Sequence, residues 1–155
     1  MKVALYARVS TDDQGQNPET QLMRLRETAR ARGHEIVGEY VDFKSGKDAN
    51  RPEFQRLLAD CKSHKVELIM ITKLDRMMRS TANLLAVLQD LERWGVGLEC
   101  LDQPIDTRSA MGRFMITLLG AVAEFERELT RSRVKEGMAR AKAEGKHCGR
   151  PRKHE

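Results

Sequence analysis

The run Val66-Glu67-Leu68-Ile69-Met70-Ile71-Thr72 reads as a central strand buried on both faces, because its apolar residues are continuous rather than alternating. Three further apolar runs flank it at regular intervals: Lys2 to Ala7, Glu35 to Val41 and Val96 to Leu101. Between them lie segments with helical spacing. Glu19 to Arg32 carries Leu22, Met23, Leu25 and Ala29 and stops at Gly33. Arg51-Pro52 opens a second helix to about Lys62, with Phe54, Leu57, Leu58 and Cys61 as its stripe. Thr81 to Trp94 is the third, with Leu84, Leu85, Val87, Leu88 and Leu91 inward and Gly95 at its end. This β-α-β-α-β-α-β order predicts a three-layer α/β domain whose largely parallel central sheet is flanked by helices.

The alternation ends near residue 108. From Ser109, a good N-cap residue, apolar positions recur at three- and four-residue steps (Met111, Phe114, Met115, Leu118, Leu119, Val122, Phe125, Leu129) to about Glu144. Some 35 residues at about 1.5 Å each make a rod on the order of 50 Å long, too long for so small a body. Such a helix calls for a partner helix, unless it breaks near Gly120 or Gly137. The expected organisation is a catalytic α/β domain over 1–108, a dimerising helix over 109–145 and an extended basic tail over 146–155.

Charge follows the same division. Between Arg127 and Glu155 ten Lys/Arg stand against four Asp/Glu, a local charge of +6. The preceding residues hold eighteen basic and nineteen acidic side chains, a charge of −1. A near-neutral body with a basic end fits a polyanion partner, although a solvated terminus has the same composition. Gly149-Arg150-Pro151-Arg152 suits a narrow minor groove. No apolar run approaches a membrane span and no secretory signal opens the chain. Cys61, Cys100 and Cys148 form no Cys-x-x-Cys pair, so neither zinc nor a disulfide framework is expected and a cytoplasmic setting fits.

Chemistry concentrates where strands give way to loops. Tyr6, Arg8 and Ser10 alternate along the first strand and its exit, so they share one side. They fall where open α/β sheets place ligands, at strand carboxyl ends. A guanidinium there suits a phosphate, and the Ser10 hydroxyl suits a nucleophile. Arg51 opens a helix, while Arg76 and Arg79 follow the central strand, all toward the same sheet edge. Arginines converging without an acidic cluster point to a phosphodiester stabilised by guanidinium groups. Asp75 either orients an arginine or exchanges a proton there, or pairs with Arg79 as an ordinary i,i+4 salt bridge. The histidines match no nucleophile motif, and Asp12-Asp13 reads as a solvated loop pair rather than a metal site.

Four strings in order carry a resemblance: YARVSTDDQ at Tyr6–Gln14, KLDRMMR at Lys73–Arg79, AVAEFERELTRSRVKEG at Ala121–Gly137 and GRPRK at Gly149–Lys153. The chain resembles the serine recombinases of the resolvase/invertase family. That resemblance implies a resolvase-like fold and a homodimer that assembles into a tetramer on double-stranded DNA. Ser10 would form a covalent 5′-phosphoserine with the cleaved strand, with neither metal nor ATP as cofactor. It further implies that Arg8, Arg51, Arg76, Arg79 and Arg127 bind the scissile phosphate or its transition state. Asp75, Gln21 and Tyr6 would support that site. On the long helix and tail, Arg131, Arg133, Lys135, Arg140, Lys142, Arg150 and Arg152 become the DNA-binding candidates. Ser132 stands where the family often carries glutamate, in the region that governs the dimer-to-tetramer step. Family members usually continue into a helix-turn-helix domain, whereas this sequence stops at Glu155. The expectation is therefore the catalytic and dimerising portion of a recombinase. The rival expectations are a dimerising regulator without catalysis, and a small-molecule phosphatase using the same arginines.

Overall fold

The structure, a computed structural model, describes residues 1–10, 17–44, 51–74, 77, 81–103 and 105–146, with Ser10, Lys44 and Thr81 described in their backbone only. The elements run β1 (Lys2–Ser10), α1 (Pro18–Ala31), β2 (Glu35–Lys44), α2 (Pro52–Lys62), β3 (Leu68–Ile71), α3 (Thr81–Trp94), β4 (Gly97–Cys100), β5 (Ile105–Asp106) and α4 (Ala110–Ala143). Strand order across the sheet is β2-β1-β3-β4-β5, with the first four mutually parallel and β5 antiparallel to β4. The expected α/β architecture is what the chain forms.

The alternation of β1 sorts its side chains between two cores. Val3, Leu5 and Ala7 join Leu22, Leu25 and Ala29 of α1 with Leu68 and Met70. Ala4 and Tyr6 lie on the other face with Phe54, Leu57 and Cys61 of α2 and Leu84, Leu88 and Leu91 of α3. β3 is buried along its whole length, as a run without polar alternation requires. Among the described residues no helix is long and apolar enough to cross a membrane. Cys61 and Cys100 are free and buried, and burial pushes the Cys61 thiol up to about 12.

Several strand boundaries differ from the sequence expectation. β1 continues through Ser10 rather than ending at Ala7, and β2 through Lys44 rather than Val41, because the two strands share register to the pair Ser10↔Lys44. Polar residues at these strand ends read as loop in the sequence, yet the backbone ladder carries them. β3 is shorter than expected, and β5, two residues long, is too brief to leave a period in the sequence.

How α2 begins matters for the site. Its N-cap position is Arg51, whose side chain makes no cap bond. The cap comes instead from β2: Asp42, only 3% exposed, accepts from the Glu53 amide at 3.1 Å and from the Phe54 amide at 2.9 Å. A carboxylate at a helix N-terminus meets both unpaired N–H groups and the positive end of the dipole. Tyr6 donates its hydroxyl to the same carboxylate at 3.1 Å, and its ring packs on Phe54 with centroids 5.2 Å apart.

α4 is one unbroken helix through Gly112, Gly120 and Gly137, capped by Ser109, whose hydroxyl accepts from the Gly112 amide at 2.9 Å. Gly112 is a packing requirement. A Cβ there would sit 1.8 Å from the Asp106 carbonyl oxygen, whereas one at Gly137 would meet nothing within 4 Å. Gly112→Ala is therefore expected to lower stability by about 1–3 kcal/mol, and Gly137→Ala to be neutral or stabilising by up to about 1 kcal/mol. Asp42→Ala should cost about 2–4 kcal/mol, combining the lost cap with a buried tyrosine hydroxyl left without its acceptor. Urea unfolding of the three variants measures all of these.

Candidate active site

Four parallel strands put their carboxyl ends along one edge, and Tyr6, Arg8, Gln21 and Arg51 lie along it. Arg8, two residues beyond Tyr6 on β1, is largely buried and lies opposite Asp42 in the β1–β2 register. Arg51 stands at the start of α2 and donates Nη1 to the carbonyl of Met77, the described residue within the segment after β3. Met77 is fully buried, so its side chain anchors the segment in the core while its carbonyl holds the guanidinium.

The electrostatics of Tyr6 report on this neighbourhood. Burial raises its pKa first, and the Asp42 carboxylate raises it further by charge and by hydrogen bond. Both Arg51 and Arg8 pull it back down, which places two guanidinium charges within electrostatic reach of one phenol. The hydroxyl stays protonated and acts as a donor, so Tyr6 fixes Asp42 and, through it, the start of α2.

Gln21 of α1 spans the other side of the edge. Its Nε2 donates to the Arg8 carbonyl at 3.3 Å, and its Oε1 accepts from the Thr72 hydroxyl at 3.5 Å. One amide thus links α1 to the ends of β1 and β3. Tyr6, Arg8, Gln21 and Arg51 are accordingly brought together. Asp75, Arg76 and Arg79 lie outside the described residues, as do Arg150 and Arg152 of the tail and the Asp12-Asp13 pair. Ser10 ends β1, two residues past Arg8, and its backbone pairs with Lys44.

Arg127 is placed differently. It lies well along α4, half exposed, and donates to Glu124 at 2.8 Å. Even so, it stands four residues beyond Ala123 and seven beyond Gly120, on the helix face that packs against α3 at Leu85.

A different face of α4 is apolar and open. Met111, Phe114, Leu118, Val122, Phe125 and Leu129 are between 40% and 62% exposed, a continuous stripe at three- and four-residue steps. Beyond it the helix is basic and exposed. Arg131, Lys135 and Lys142 share one side, at steps of four and seven, while Arg133 and Arg140, seven apart, share another. Basic charge therefore flanks the distal rod on two sides rather than forming a single patch.

Asp42 is the site-edge residue that sequence reading missed. It sits in the polar stretch VDFKSG, which has the composition of a loop. The available signal was its spacing before Arg51-Pro52: a helix opening on Arg-Pro has no capping side chain of its own and needs one from elsewhere.

Comparison with known proteins agrees with this geometry. The family model described as "Resolvase, N terminal domain" matches residues 3–147. The DNA-invertase hin of Salmonella typhimurium is 39% identical over 153 residues, a match that covers 97% of this chain and 75% of that protein. A probable DNA-invertase, y4cG, of Sinorhizobium fredii is 41% identical over 146 residues, but the match spans 94% of this chain and only 45% of that longer relative. Among solved structures, a resolvase family site-specific recombinase from Streptococcus pneumoniae superposes with a TM-score of 0.81 at 39% identity, covering 92% of this chain and 99% of that one. The chain belongs to the serine recombinases of the resolvase/invertase family, through their N-terminal catalytic domain.

Proposed function

We propose that this chain is the catalytic part of a site-specific DNA recombinase that breaks and rejoins strands through Ser10. The observation that carries the reading is the convergence of Arg8, Arg51 and Gln21 around the carboxyl end of β1, the strand that ends on Ser10. The Ser10 oxygen attacks a backbone phosphorus. A P–O bond to serine forms, the P–O bond to the 3′ oxygen breaks, the serine proton is lost and the departing 3′ oxygen gains one. The product is a 5′-phosphoserine and a free 3′-hydroxyl, and the reverse attack reseals the strand.

The chemistry demands stabilisation of extra negative charge on the phosphate oxygens during transfer. Arg8 and Arg51 supply it from β1 and α2, with Arg76 and Arg79 from the segment after β3. Asp75 serves that segment, and Gln21 holds the backbone beneath Arg8. Guanidiniums remain charged at any working pH and need no reorganisation when the charge develops. Double-stranded DNA is the substrate. The basic distal half of α4, from Arg131 to Lys142, and the arginines Arg150 and Arg152 in the tail contact its phosphates. Such contacts position a protein without specifying sequence.

Assembly is part of the function. Two copies bury the stripe from Met111 to Leu129 against each other, and pairs of dimers form the tetramer in which strands exchange. The body over 1–108, the helix over 109–145 and the tail over 146–155 divide this work into chemistry, assembly and DNA contact.

Ser10→Ala should leave the fold and DNA affinity intact and abolish the covalent adduct on a suicide DNA substrate; an adduct mapped to another residue would sink the mechanism. Arg8→Ala should slow adduct formation by about 10²–10³-fold, measured in single turnover. Phe125→Glu places a charge in the apolar stripe and should shift the chain toward monomer in light scattering. The logarithm of DNA affinity should fall linearly with that of salt, with a slope near −0.9 per phosphate neutralised. A flat salt response would contradict phosphate contact by the basic helix.

A further inference from the structure

The backbone ladder between β3 and β4 runs two rungs past the strand β3. Leu101 donates its amide to the Ile71 carbonyl and Asp102 donates to the Thr72 carbonyl, each at 3.0 Å. Beyond these rungs the Leu74 amide donates to the side-chain oxygen Oε1 of Gln103 at 3.0 Å. A side-chain amide thus supplies the rung that the backbone no longer provides. The Cys100 thiol approaches the same oxygen at 3.5 Å while donating at 3.1 Å to the Thr72 carbonyl.

The turn bearing Gln103 is itself held. Arg24 of α1 grips Asp102, the preceding residue, with contacts of 2.6 and 3.3 Å to its two oxygens. At the other end, the Met77 amide donates to the Leu74 carbonyl at 2.9 Å, its carbonyl accepts from Arg51, and its side chain is fully buried. Leu74 and Met77 are therefore the fixed posts of the segment Lys73–Arg79. One post hangs on Gln103 and the other on Arg51.

We propose that Gln103 is a positioning residue for strand cleavage: through the Leu74 amide it fixes the entry of the segment that carries Asp75, Arg76 and Arg79. The inference rests on the reading of this chain as a DNA-cleaving recombinase and adds a residue to that reading. Leu74 stands two residues before Arg76 in sequence, so the backbone that Gln103 holds is the one from which that arginine's segment departs. Misplacing a transition-state group by about 1 Å can cost about 100-fold in rate. Gln103 is exposed, so exchanging its side chain removes no core packing. Its effect runs through the backbone it holds.

The test compares Gln103→Met, which keeps the length and loses the acceptor, with Gln103→Glu, which keeps an acceptor oxygen. Wild type and both variants are measured for thermal midpoint, for Kd to a DNA duplex, for hydrogen exchange at the Leu74 amide, and for single-turnover cleavage of a suicide substrate. The expected result for Gln103→Met is faster Leu74 exchange and cleavage slowed by about tenfold or more, with midpoint and Kd unchanged. Gln103→Glu should restore protection and cleave within a few-fold of wild type. Unchanged Leu74 protection in Gln103→Met, or cleavage at the wild-type rate, overturns the inference while leaving the proposed function standing. A loss of rate that Gln103→Glu fails to recover also overturns it. A wild-type chain that never forms the adduct removes the function itself, and this role with it.

Discussion

A buried carboxylate, Asp42, is the constraint around which the catalytic edge is built. Burying a charge costs several kcal/mol unless donors replace the lost water. Three donors do so here: the Tyr6 hydroxyl and the amides of Glu53 and Phe54. They come from β1 and from the first turn of α2, while Asp42 itself belongs to β2. Satisfying one carboxylate therefore locks three elements in a single geometry. Arg51 immediately precedes the capped turn and Arg8 lies two residues from Tyr6, so one carboxylate sets the placement of both residues. Hydrogen bonds to a charged acceptor are about twice as strong as neutral ones, which suits a contact that must hold arginines apart against their own repulsion.

The parallel sheet then does for the remaining groups what Asp42 does for these two. Because β1 to β4 run the same way, every segment leaving a carboxyl end starts from the same edge. Cross-links along that edge are polar and come from side chains. Gln21 bridges the ends of β1 and β3, Gln103 extends the ladder beyond β3, and Arg51 holds the Met77 carbonyl. The apolar cores beneath fix the strands, and these amides and guanidiniums fix the loops. A site assembled from such separate pieces is sensitive to backbone shifts at any of its posts.

The legible part of this protein was the part governed by periodicity. VELIMIT gave a buried central strand because both its faces are covered, and the stripe from Met111 to Leu129 gave one long helix through its glycines. The glycines expected to stop α1 and α3, Gly33 and Gly95, do adopt positive φ just past those helices. The polar ends of β1 and β2 were illegible, since Asp42 and Lys44 carry loop composition while their backbones pair in register. Gly112 was illegible for another reason: its requirement is contact with the Asp106 carbonyl, a tertiary fact without local pattern. Of the site, Tyr6 and Arg8 were readable from strand alternation. Arg51 was readable from its place at a helix start, but its hold on Met77 and its dependence on Asp42 were not. Gln21 came only from family likeness, because a glutamine on an amphipathic helix has no signature until its partners are known.

The proposed function joins chemistry to assembly through the open stripe on α4 and the position of Arg127. Each of the six stripe residues keeps roughly half of its surface exposed. At about 1.5–3 kcal/mol for full burial of a large apolar side chain, covering the stripe on two copies yields on the order of 10 kcal/mol. Association itself costs an estimated 4–15 kcal/mol. The two are comparable, so in the proposed assembly the stripe alone gives a marginal pairing, to which phosphate contacts along the basic distal half would add. Arg127 lies within the span of the stripe but on the helix face of Gly120 and Ala123, and among the described residues its ion-pair partner is Glu124. A surface ion pair of that kind is worth well under about 1 kcal/mol, far less than a phosphate held by a guanidinium out of water. In the proposed reaction Arg127 would exchange that carboxylate for a phosphodiester at little cost.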